Sequence, residues 1–255
     1  MSQATFSWKN LRILILLLIL FIVAVNAWRD KQQNWQAPIF VALYPLNADG
    51  SVTMQQYIQQ LSAQDYQEIA DYLQQQARRY QKNIHVYFKL GQQVEQLAPK
   101  MPESSSVFDA IVWSLKFRYY AWQQKQDLGI QPQLSLFLNY YDPQRYKMLK
   151  HSTALQNGRI GVVNVFASDK QSAQNNIVIA HEMLHAFGAS DKYDLSTGQP
   201  IYPQGYGNPL QQPRYPQMTA ELMGGQRVLT ATSYKMPDSF AQVVIGEATA
   251  LEIGW

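Results

Sequence analysis

Two of the chain's four histidines, His181 and His185, stand four residues apart with Glu182 beside the first, in the run "HEMLHAFGASDKYD" (181–194). A helix turns 100° per residue, so the two imidazoles are about 400° apart, or 40° net. They leave one face of the helix and can share one tetrahedral zinc ion. Glu182, one residue on, flanks such a metal without binding it and is placed to take a proton from the metal's water. The bland alternative is a pair of surface histidines near a helix C-terminus, where their partial charge suits the dipole. The amphipathic stretch that carries the pair, and the glycine that ends it, favour the metal.

A catalytic zinc needs a third protein ligand and an open fourth position. Asp191 is the first choice. Gly188 can adopt the left-handed conformation that stops a helix, and a carboxylate three residues later can return to the metal. Glu221, far downstream, is a rival, and Asp194 another. Tyr193 and Asp194 have a structural reading too, as residues that cap and pack the start of the next loop.

The extended pattern His-Glu-x-x-His-x-x-Gly-x-x-Asp resembles the metzincin class of zinc metallopeptidases, in the variant with Asp as third ligand. The continuation "GASDKYD" is most similar to the immune-inhibitor-A-like metallopeptidases, which share Gly-x-x-Asp-x-Tyr-Asp. The resemblance implies one catalytic Zn²⁺ held by His181, His185 and Asp191, with Glu182 as general base. It also implies a methionine turn below the metal, for which "AELMGG" (220–225) offers Met223; the alternative for Met223 is an ordinary core methionine. Glu221 would take the ligand role in zincins that use a downstream glutamate. Several metzincins place a tyrosine two residues after the turn methionine, but this chain has Gly225 there. Tyr193 and Tyr234 are then the candidates for assisting the transition state. By the same analogy, "RIGVVNVFA" (159–167) would be the sheet edge above the cleft, able to accept an extended peptide as a further strand. The resemblance is firm over 181–194 and looser over 37–255.

These side chains need a scaffold, and the sequence supplies one. "IFVALYPLN" (39–47), "IHVYFKL" (84–90), "QLSLFLNYY" (133–141) and "RIGVVNVFA" read as strands. Residues 62–80, with Ser62 as N-cap, 104–126, with serine caps, and 172–188 read as helices. The last carries an apolar stripe of Ile177, Ala180, Leu184 and Phe187. Residues 192–220 hold five prolines among Gly and Tyr, a loop long enough to be functional or packed by its own side chains. The segment 237–254 reads as a helix capped at Asp238, with Phe240, Val243, Val244, Ala248 and Leu251 inward. There is no internal repeat, and His85 and His151 receive no role. The expectation is an α+β, zincin/metzincin-like domain over 39–255: a mixed sheet backed by helices, an active-site helix and a small C-terminal subdomain.

Composition narrows the functional classes. Cysteine is absent, which excludes disulfides, thiolate metal sites and a cysteine nucleophile. The net charge is +3, but Lys9 and Arg12 fall in residues 1–27, which hold no acid. The remainder is nearly neutral, with no basic cluster and no nucleic-acid footprint. Residues 1–28 contain the apolar run Ile13–Val25, bracketed by Trp8 and Trp28 about 30 Å apart as a helix. This reads as a membrane anchor over 11–28, followed by a polar tether, 29–38. Lys9 and Arg12 before the run, against Arg29, Asp30 and Lys31 after it, favour the N-terminus inside and the domain outside, in the periplasm of a bacterium. A cleavable signal ending at "VNA" (25–27) is the competing reading and would make the domain secreted.

The functional expectation is a membrane-anchored zinc endopeptidase acting on a peptide or protein. The alternative is a catalytically silent zincin that binds peptides or serves structurally in the envelope. A third possibility is latency, with the 192–220 loop over the cleft.

Overall fold

The computed structural model describes residues 8–31, 33–102 and 106–255. Ser104 and Ser105, two of the serines read as helix caps, lie outside the described residues; Ser106 is the observed N-cap and accepts from the Asp109 amide.

The centre is a five-stranded mixed sheet in the order β2-β1-β3-β5-β4. Its strands are β1 Ile39–Asn47, β2 Val86–Leu90, β3 Leu134–Tyr141, β4 Thr153–Leu155 and β5 Ile160–Phe166. β1 pairs in parallel with β2 and β3, β3 pairs in parallel with β5, and β4 is antiparallel to β5. A parallel strand covered on both faces reads as a continuous apolar run, and β1 does so. Ile39, Val41 and Leu43 enter one core, and Ala42, Tyr44 and Leu46 the other.

Helices α3 (Gln67–Arg79) and α5 (Ser172–Ala186) cover the first face with Ile69, Leu73, Ile177, Ala180, Met183 and Leu184. Helix α4 (Val107–Gln123) covers the second through Trp113, Phe117 and Tyr120, with Phe117 edge-on and Tyr120 tilted against Phe137. The sheet order corrects one expectation: β5 is not the edge, because β4 lies outside it. Beyond β4, the Asn164 amide donates to Ser152 Oγ, and both backbone groups of Phe166 are bonded by the Asn175 side chain.

Helix α2 (Val52–Gln60) was not anticipated; it buries only Met54 and Ile58. The expected helix 62–80 begins as a single 3₁₀ turn, where the Asp65 carboxylate accepts from the Ser62 amide, before α3 starts. The expected C-terminal helix 237–254 is also corrected. The β-branched run Val243–Ile245 is extended, with β9 (Val243–Val244) pairing in parallel with β6 (Ala220–Glu221). Only α6 (Glu247–Glu252) is helical. Burial follows the strand period at Val243 and Ile245, and Leu251 faces solvent.

Two more short strands, β7 (Arg227–Val228) and β8 (Tyr234–Lys235), form a ladder of their own. The 192–220 loop is not structureless. It bridges Tyr193 to Pro200 and Tyr206 to Ala220, and Gly224 packs so close to the Gly205 carbonyl that a Cβ would lie 2.4 Å from its oxygen.

Helix α1 spans Trp8–Lys31, so it runs past the expected boundary at residue 28 into the segment read as tether. It is long and apolar enough to cross a membrane, and its apolar window packs against nothing in the domain. The rest of the tether is partly docked: Trp35 is buried on Phe187 and Trp255 and donates from its indole to the Ile253 carbonyl.

Candidate metal centre

Helix α5 is buried around most of its circumference and presents the partly buried His181 and His185 side by side, beside its apolar stripe. Phe187 caps the helix, and Gly188 has φ +108°. A Cβ on Gly188 would meet Gln156 Nε2 at 2.5 Å, and the positive φ strains any other residue. Gly188→Ala should therefore cost about 1–3 kcal/mol of stability, read by urea unfolding; an unchanged midpoint would refute the turn's dependence on glycine.

Past this turn the chain comes back to the helix. Asp191 Oδ1 lies 3.2 Å from His181 Nε2 and 3.1 Å from His185 Nε2, and the two Nε2 atoms are 3.0 Å apart. A tetrahedral zinc with donors at about 2.0–2.1 Å would hold them about 3.3–3.4 Å apart. The outer nitrogens are also engaged: His181 Nδ1 is 3.0 Å from the Leu222 carbonyl and His185 Nδ1 is 2.8 Å from the Ala189 carbonyl. A carbonyl only accepts, so each Nδ1 carries a proton and Nε2 is the nitrogen left to face Asp191: a protonated ring donates from it to the carboxylate, and a neutral ring offers a lone pair. With both rings neutral, three acceptor atoms face one another, an arrangement that a cation satisfies.

Glu182 also has a carboxylate oxygen within 4.8 Å of both histidine donors. Its position differs from that of Asp191. Glu182 is buried and its Oε2 has no hydrogen-bond partner. Burial pushes its pKa up, partly offset by the neighbouring histidines. Burial also raises Asp191, but hydrogen bonds and charge from His181 and His185 outweigh it and hold that carboxyl well below its ordinary range. For His181, burial is outweighed by Asp191, Glu182 and the Leu222 carbonyl, so its pKa is raised. Asp191 is thus in direct contact with both Nε2 atoms, while Glu182 lies within 4.8 Å of them with its Oε2 lacking a hydrogen bond among the described residues.

Tyr193 belongs to the site. Its ring lies 6.3 Å from that of His181, and its hydroxyl bonds Asp191; burial and that carboxylate raise its pKa, so it stays protonated. Met223 is fully buried in the core shared with Met183 and Leu184, in a single 3₁₀ turn that also supplies the Leu222 carbonyl. Its own carbonyl accepts from the Lys192 amide, which fixes the start of the loop.

Three candidates are not brought to the cluster. Glu221 is fully buried, and its carboxylate accepts from Gly224 N, Gly246 N and Thr249 Oγ1. Asp194 is exposed and caps a turn, accepting from the Ser196 hydroxyl first, then from the Thr197 amide and hydroxyl and the Ser196 amide, which hold its pKa down at about 2. Tyr234 donates to the Thr197 carbonyl at 2.6 Å, tying β8 to the loop.

His181 and Glu182 line a cleft of about 440 Å³, whose lining does not include His185 or Asp191. Its walls include Phe166, Val178, Tyr193 and Gln226, together with His151, to which the sequence assigned no role. Sequence reasoning also missed the support of Asp191. Glu252, on α6, accepts from Ser190 N and Oγ and from Lys192 Nζ, so it clamps both neighbours of Asp191. Nothing in residue spacing connects Glu252 to the motif.

The fold and site thus define an α+β domain with a mixed sheet and a histidine–carboxylate cluster of metal-binding geometry, preceded by a helix able to span a membrane. No family model matches the chain, and no curated protein matches it. A solved structure described as "Structure of a chaperone-substrate complex" aligns with 85% of this chain at 15% identity and a TM-score of 0.40. The chain spans about a third (33%) of that chain's length. A likeness at this level carries no argument about fold or activity.

Proposed function

We propose that this protein is a zinc-dependent endopeptidase of metzincin-like type, held at a membrane by α1 with its domain on the outer side, periplasmic in a bacterium. The observation that carries the reading is the convergence of His181 Nε2, His185 Nε2 and Asp191 Oδ1 beside the unpartnered Oε2 of Glu182. These residues fit zinc in donor type and spacing. When bound, the ion supplies a Lewis acid and an acidified water.

The chain's own residues do the rest. His181 and His185 are oriented by the Leu222 and Ala189 carbonyls, and Asp191 by the clamp on Ser190 and Lys192. Glu182 accepts a proton from the water that adds to the peptide carbonyl. It then returns that proton to the departing amine as the C–N bond breaks. Tyr193, kept protonated, offers a hydroxyl at the cleft wall.

Purified protein should contain about one zinc per chain and cleave an unstructured protein, with chelator abolishing cleavage. Zinc-loaded protein inert on a broad peptide library would replace this reading with the silent zincin. Glu252→Ala should weaken zinc about 10- to 100-fold, as loss of an outer-sphere partner does. Chelator competition measures this, and unchanged affinity would remove Glu252 from the site. Protein recovered from membranes should retain the apolar segment Ile13–Val25; an N-terminus at Trp28 would show cleavage and secretion instead.

A further inference from the structure

We propose that the outward face of α4 seats on the membrane surface, so that the domain lies against the bilayer crossed by α1. The proposal rests on α1 being an anchor and is independent of whether the cleft holds zinc. Phe108, Ile111, Leu115, Tyr119 and Trp122 recur at spacings of three and four residues, and so form one stripe about 21 Å long. Each is between 53% and 72% exposed. The opposite face of the same helix is already buried through Trp113, Phe117 and Tyr120. A helix apolar on both faces is ordinarily enclosed, and a continuous exposed stripe of this size marks an interaction surface.

The chemistry of the stripe suits a lipid interface. Tyr119 and Trp122, at its C-terminal end, are the residue types that settle at headgroup level. Lys116, Arg118 and Lys125 flank it, and cations at such a position are drawn to anionic headgroups.

Proximity to the anchor supports the same occupant. Four Cα steps separate Lys31, the end of α1, from the docked Trp35, at most about 14 Å of chain. Gln33, within that link, bonds the Arg159 side chain. Arg118, at the edge of the stripe, donates to the Asn157 carbonyl at 2.8 Å, two residues away from Arg159. The place where the chain leaves the anchor is therefore joined through the 157–159 loop to the flank of α4, and through Trp35 to the end of α5 on the other face. Since α5 lies on the other face of the sheet, this seating puts the sheet between the bilayer and His181 and His185, with the cleft on the side of water-borne substrates.

The chain has no cysteine, so single nitroxide-labelled cysteines can be introduced into the full chain. It is reconstituted in vesicles of phosphatidylethanolamine and phosphatidylglycerol. Labels at Leu115→Cys and Tyr119→Cys should be relaxed by oxygen, which concentrates in lipid, and shielded from a water-soluble nickel chelate. Their oxygen-to-nickel ratio should be several-fold above that at Leu210→Cys, a loop position 86% exposed. A label at Leu16→Cys reports on the anchor separately. If Leu16 reads as lipid and Leu115 and Tyr119 read as water, the seating is wrong while the anchor stands. Shielding from both reagents with spin–spin broadening would overturn it in favour of a second copy of the chain. If Leu16 reads as water, the anchor fails and the seating with it. All four positions are exposed, so loss of the fold is not what the labels would report.

Discussion

Glu182→Gln should lower kcat/KM for peptide hydrolysis by about 10²- to 10⁴-fold, the usual contribution of a positioned general base, while zinc stays at about one per chain. The substitution keeps the size and shape of the side chain and removes its charge and its ability to take a proton. Two observations place the effect in proton transfer. Glu182 Oε2 has no hydrogen-bond partner among the described residues, so no hydrogen bond to that oxygen is lost in the substitution. Burial lifts its pKa, which brings a carboxylate nearer the range where a base works at neutral pH. The measurement is steady-state cleavage of a fluorogenic peptide beside metal analysis of the same sample. Full activity in the variant would sink the mechanism. Loss of the zinc would move Glu182 from base to ligand, an outcome made meaningful by its closeness to both histidine donors.

What could be read in advance follows physical rules. β1, β3 and β5 are enclosed on both faces or nearly so, and a short run that is apolar on both faces suits an enclosed parallel strand. The stripe of α5 and the stop at Gly188 carry the helix and its end, and the +108° φ shows why glycine is needed there. The C-terminal segment misled because Phe240, Val243 and Val244 fit a helical spacing as well as an extended one. Pairing with Ala220 and Glu221, a partner remote in sequence, decides the matter. Likewise α2 commits only Met54 and Ile58 to the core, too few for a period. In the site, the histidine pair is a local pattern and legible. The Leu222 and Ala189 carbonyls are backbone groups with no sequence signature, and the Glu252 clamp arises only when α6 packs beside the turn.

The same logic separates the two acids that competed for the third-ligand role, because their removal should fail in different ways. Asp191→Ala should weaken zinc by more than the roughly 10- to 100-fold expected of an outer-sphere partner, and should do so with little change in the stability of metal-free protein. Asp191 is only half-buried and its hydrogen-bond partners are the two metal-facing histidines and Tyr193, so the metal-free fold relies on it little. Glu221→Ala should do the reverse. It strands the amides of Gly224 and Gly246 and the Thr249 hydroxyl in the core, and each unsatisfied buried group costs about 1–3 kcal/mol. The Glu221 variant should therefore unfold at clearly lower urea, with zinc affinity of the remaining folded protein changed far less than by Asp191→Ala. Zinc titration at a urea concentration where both proteins are folded, paired with unfolding of the metal-free forms, makes the distinction. Greater loss of zinc in Glu221→Ala than in Asp191→Ala would give the ligand role to Glu221, and would require its carboxylate to leave the three donors that now hold it.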